Sequence, residues 1–87
     1  MVSYSYRDIR GRLFSDAGQA MFMKIRESVR TRLASAGAVR MWEAIDSGVG
    51  GDFWTLMACV DRLVELGEIK EIPQGDAAGH HRIFVAV

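Results

Sequence analysis

Three short stretches of this 87-residue chain carry residue types able to do chemistry. His80-His81 offers two imidazoles for a metal, Cys59 a thiol for nucleophilic attack, and Gly48-Val49-Gly50-Gly51 a glycine run of the kind that cradles phosphate. Each fails on its neighbours. Adjacent imidazoles on an extended segment point to opposite sides, and no Cys or further His supplies the remaining ligands of a metal site, so the pair reads as a solvated loop tip. Cys59 shares a helical stripe with Leu56, Val60 and Leu63 and reads as a small core residue. The glycine run lacks the following Lys-Ser/Thr and the preceding long strand of a phosphate loop. With no paired carboxylates and no nucleophile triad, the expectation is a chain without catalytic residues, metal ligands or cofactor.

Elements of some kind must still position the remaining polar and aromatic groups, and composition bounds what they are. At 49% apolar and 25% charged, the chain sits in the globular range. Its length suits one domain, residues 1–87, with a core small enough to gain from a partner. One cysteine cannot form an internal disulfide, residues 1–12 lack the apolar region of a secretory signal, and no apolar run reaches the roughly 18 residues of a membrane span. A cytoplasmic protein with no membrane partner is expected.

The formal charge is zero, but it is divided along the chain. Residues 1–40 hold eight Arg or Lys against three Asp or Glu, and residues 41–87 hold three against eight. That division fits a basic surface for an acidic partner, charge pairing within the fold or between subunits, or plain solvated helix faces.

Periodicity gives the elements. Val2, Tyr4 and Tyr6 alternate with polar residues, which suits a short strand or an arm over residues 1–14. Asp16 with Gln19 resembles a capping box, so a first helix is expected over 17–36, with Phe22, Ile25, Val29 and Leu33 on its buried face and Gly37 as its stop. Ala38 and Val39 could form a very short strand. Met41, Trp42, Ile45 and Val49 give the apolar face of a short second helix, placed at 39–47. After the Gly50-Gly51 turn, Asp52 caps a third helix over 53–66, which buries Leu56, Cys59, Val60 and Leu63 and stops at Gly67. Residues 68–72 and 82–87 read as two strands joined by a loop over 73–81.

Three helices followed by a hairpin is the order of the winged helix-turn-helix, and Val49-Gly50-Gly51-Asp52 through Leu56, Val60, Leu63 and Leu66-Gly67-Glu68-Ile69 resembles the pattern of that superfamily over about residues 17–87. The resemblance implies an α+β fold, a three-helix winged helix-turn-helix domain with a C-terminal β-hairpin wing. It implies further that the 53–66 helix is the recognition helix and residues 73–81 the wing, the two elements that in the superfamily usually meet DNA.

The outward positions expected on that helix are Phe53, Trp54, Met57, Ala58 and Asp61, none of them a good reader of base edges. Thr55 and Arg62 are its useful donors, while Asp61 and Glu65 repel phosphate. The candidate nucleic-acid contacts are therefore Arg7, Arg10, Arg12, Arg26, Arg30, Arg40, Thr55, Arg62, Lys70 and Arg82, with His80 and His81 near the last and Asp76 opposing them. The candidate protein-interface residues are Phe53, Trp54, Met57, Tyr4, Tyr6 and Phe84, a set rich in aromatics and poor in charge.

Two functions follow. The first is a DNA-associated transcriptional regulator that holds double-stranded DNA through a non-standard basic surface. The alternative is a protein–protein interaction module whose former recognition helix is an apolar docking face, with no DNA binding. Both expect a protein partner or second subunit, and a homodimer built through the N-terminal segment or the hairpin.

Overall fold

The chain's first described turn is helical. In the computed structural model, which describes residues 4–46, 50–73 and 81–87, helix α1 spans Tyr6–Ile9 and a 3₁₀-helix continues over Arg10–Phe14. The expected strand or arm at residues 1–14 is corrected over its described part; Val2 lies outside it. Ile9 and Leu13 are four residues apart and both buried, and this helical period outweighs the Tyr4-Tyr6 alternation. The turn is closed by the Asp8 and Ile9 amides donating to the Ser5 carbonyl at 3.1 and 3.2 Å.

Helix α2, Asp16–Ala36, is capped one residue earlier than expected. The Ser15 hydroxyl accepts from the Gly18 amide at 3.0 Å, and Asp16 sits inside the first turn, where its charge suits the helix dipole. Gln19 does not close a box; its amide donates to the Leu13 carbonyl at 2.6 Å and ties the 3₁₀-helix to α2. Strand β1 takes Val39–Arg40, so the short helix expected at 39–47 begins later, as α3 at Met41–Ile45; residue 47 and Val49 lie outside the described residues. Helix α4 spans Phe53–Glu65, with Asp52 accepting from the Thr55 amide at 3.2 Å and from its hydroxyl at 2.6 Å.

Gly67 ends α4. At φ +78° it takes the left-handed conformation, its amide donates to the Val64 carbonyl and the Glu68 amide to the Leu63 carbonyl, the two bonds of a Schellman turn. The turn delivers the chain into β2, Ile69–Ile72, which pairs antiparallel with β3, Ile83–Ala86. Strand β1 pairs with the other edge of β3, Val39 opposite Phe84, to give the order β1-β3-β2. The described residues thus form an α+β fold of four α-helices and a small three-stranded antiparallel sheet. Most of the expected wing, residues 74–80 with Asp76 and His80, lies outside the described residues.

Helix α4 lies at the centre, touching α2, α3, β2, α1 and the 3₁₀-helix. Phe22, Ile25 and Val29 of α2, Met41 and Ala44 of α3, Val39 and Phe84 of the sheet pack around its Leu56, Cys59, Val60 and Leu63, and Leu13 joins them from the 3₁₀-helix. Gly18 makes that last contact possible. A Cβ there would collide with the Arg12 carbonyl and come within 2.7 Å of the Leu13 Cα.

Candidate interaction surfaces

At 100° per residue, Leu56, Cys59, Val60 and Leu63 share one face of α4, and Trp54, Ala58, Asp61 and Glu65 fall on the opposite one. In a three-helix arrangement that second face would meet solvent or a ligand. Here the N-terminal segment occupies it. Tyr4 donates to Asp61 at 2.5 Å, Tyr6 to Glu65 at 2.8 Å, and the Arg10 Nε to both Glu65 oxygens at 3.0 Å.

The expectation that Phe53, Trp54, Met57, Ala58 and Asp61 point outward together is therefore corrected. Phe53 is 62% exposed, but Met57 is only 5% exposed, Ala58 and Asp61 are buried, and Trp54 packs part-buried on the core. Phe84, also expected at an interface, is fully buried under the sheet. Tyr4 and Tyr6 are partly buried and point their hydroxyls at α4. Thr55 is buried, and its hydroxyl is spent on Asp52, so it has nothing to offer a base edge.

Six of the eight arginines expected to hold phosphate, Arg10, Arg12, Arg26, Arg30, Arg62 and Arg82, meet carboxylates instead. Arg10 and Arg62 both pair with Glu65, Arg12 pairs with Asp52, Arg26 and Arg30 with Glu68, and Arg32 with Glu43. Arg82 bridges Asp61 at 2.7 Å and Glu71 at 2.8 Å. Arg10, Arg12, Arg26, Arg30 and Arg32 of the positive first half thus pair with carboxylates of the negative second half at separations that sequence spacing alone does not connect, while Arg62 and Arg82 pair within the second half. Arg7, Arg40 and Lys70 form no ion pair with a described residue. They sit on three different elements, α1, β1 and β2. Phe14, exposed on the 3₁₀-helix, lies under two guanidiniums, Arg10 at 4.9 Å and Arg62 at 5.3 Å.

These contacts set the electrostatics. Hydrogen bonds from Tyr6, Arg62 and Arg10 pull the Glu65 carboxyl down to about 2. Burial, then the bond to Glu65, pushes the Tyr6 phenol up to about 12, and burial with the Asp61 bond raises that of Tyr4 further. Burial works against the charge on Arg82, but its bonds to Glu71 and Asp61 outweigh it and raise its pKa. The Thr55 hydroxyl holds the Asp52 carboxyl below its ordinary value. Burial lifts the Cys59 thiol to about 12, which keeps it protonated and unreactive at neutral pH.

Among the described residues no cluster of three or more His, Cys, Asp or Glu has metal-binding geometry, and no helix is long and apolar enough to cross a membrane. A shallow depression lies between the N-terminal half of α2 and the chain before α4, lined by Ala17, Ala20, Met21, Lys24, Gly50 and Gly51. No family model, no curated protein and no solved structure matches the chain.

Proposed function

We propose that the chain is a non-enzymatic winged-helix domain that binds a protein partner and does not read DNA through α4. The winged-helix reading is supported by the order helix, strand, helix, helix, strand, strand from α2 to β3 and by the sheet order β1-β3-β2. The observation that carries the functional reading is that residues 4–14 lie along the outer face of α4, hydrogen-bonded to its buried Asp61 and exposed Glu65. A helix covered in this way cannot enter a major groove, and its acidic groups would repel phosphate.

The partner surface is the depression on α2, where Ala17 and Ala20 are exposed, Met21 is part-buried and Lys24 forms no ion pair with a described residue. Small and flexible apolar side chains beside a lone cation suit a protein surface with an apolar anchor. A second copy of the chain is the first partner to test. Sedimentation of the wild type should show concentration-dependent association at high micromolar protein, and Ala20→Glu should abolish it without loss of helical signal. Titration with generic duplex DNA at about 50 mM salt should give no saturable complex. A complex that weakens steeply as salt rises would overturn this reading and restore the DNA-associated regulator.

A further inference from the structure

A second cavity lies at the other end of α2. Val29 and Leu33 on α2, Leu63 on α4, Ile69 on β2 and Ala86 on β3 wall a groove of about 210 Å³, and Arg26, Arg30 and Glu68 stand around it. The Ile69 to Ala86 register forms one wall, and the Gly67 turn folds Glu68 back against α2.

The three charged groups are not equivalent. Arg26 grips both oxygens of Glu68, Nε to Oε1 at 3.0 Å and Nη2 to Oε2 at 2.9 Å. Arg30 makes a single longer contact to the same carboxylate, at 3.2 Å, and its side chain remains 56% exposed. Two guanidiniums therefore face one carboxylate, and most of the five donors of Arg30 are left for another acceptor. The site combines apolar walls with a guanidinium held by one contact to a carboxylate it shares with Arg26, a layout of the small-ligand kind.

Size and charge select the ligand class. A cavity of about 150 Å³ holds benzene, so by proportion this groove holds an apolar body of about eight carbon-sized atoms. A neutral ligand would leave Arg30 unused, and a dianion would be set against Glu68. We propose that the groove binds a small amphipathic monoanion, a carboxylate on a compact apolar body, with the carboxylate on Arg30 and the body between Leu33 and Ile69. The inference does not depend on the partner surface proposed above, which lies toward the opposite end of α2.

Phenylacetate and octanoate, titrated into isotopically labelled protein and followed by amide shifts, test it, with phenylacetamide and octanamide as neutral counterparts. Saturable shifts at Val29, Leu33 and Ile69 are expected, with the amides bound at least about tenfold more weakly, the usual gap between a charge-assisted and a neutral hydrogen bond. Arg30→Gln should remove that gap and Arg30→Lys retain part of it. Leu33→Trp should fill the groove and abolish binding while the spectrum stays folded. Equal affinity for acids and amides, no effect of Arg30→Gln, or no saturable shift would overturn the proposal. So would shifts at these residues that grow with protein concentration alone, which would assign the groove to a second copy.

Discussion

The Tyr4 phenol donates to the Asp61 carboxylate at 2.5 Å across 57 residues of chain, and Arg82 donates to both Asp61 oxygens. One carboxylate thus joins the N-terminal segment, α4 and the start of β3. No side-chain polar atom buried among the described residues is left without a partner. Removing the acid strands two groups at once. Asp61→Ala should cost about 2–3 kcal/mol, discounted because Arg82 keeps Glu71, and Tyr4→Phe about 1–2 kcal/mol. Urea unfolding midpoints at constant m-value measure both; equal, negligible shifts would show that the N-terminal segment is not held through Asp61.

Gly18 lies inside a helix, where alanine is favoured by about 1 kcal/mol on propensity alone. The Leu13 backbone at 2.7 Å from the site of its missing Cβ reverses that sign. Gly18→Ala should destabilise the fold by about 1–3 kcal/mol, whereas the same change at a solvent-facing α2 position should not. Thermal unfolding of the two variants side by side decides it.

Glu65 titrates near 2 in the fold, below its ordinary 4.5, because Tyr6, Arg62 and Arg10 all donate to it. Its folded-state pKa is depressed, so its contribution to stability is present above about 4.5 and is lost as the pH falls toward 2. Glu65→Gln should reduce stability at pH 7 and flatten the loss between those two values. Chemical denaturation across that range reads the slope directly, and parallel curves for wild type and variant would contradict the three-donor contact.

Cys59, fully buried with its thiol held near 12, should resist a thiol reagent at pH 8 in the native protein and react at once in concentrated urea. The native rate should follow transient opening and rise with added denaturant. Rapid native labelling would place the Cys59 face of α4 at the surface and reverse the register of that helix.

The local features were readable from residue types and spacing. The stripes Phe22, Ile25, Val29 and Leu56, Cys59, Val60, Leu63 follow the 3.6-residue period, and Asp52 and Gly67 have the chemistry of a cap and a left-handed stop. Each is decided within a few residues of chain, where backbone sterics and local hydrogen bonds dominate. The N-terminal segment departs from its local pattern because its packing is not local. Tyr4 and Tyr6 alternate as a strand would, and only the burial of Ile9 and Leu13 against α4 and α2 makes the segment helical.

What the sequence by itself determined, then, was the two long helices, the two C-terminal strands and the division of charge between the two halves. Only the tertiary structure decided which surface each element presents. The fate of the arginines shows why. Arg26 and Glu68 stand 42 positions apart, Arg10 and Glu65 55 apart, and nothing in their local context distinguishes an ion pair from a phosphate contact. The same holds for α4, whose outer face reads as exposed until residues 4–14 are laid across it. Such pairings depend on how elements far apart in the chain pack together, and local preference does not encode that arrangement.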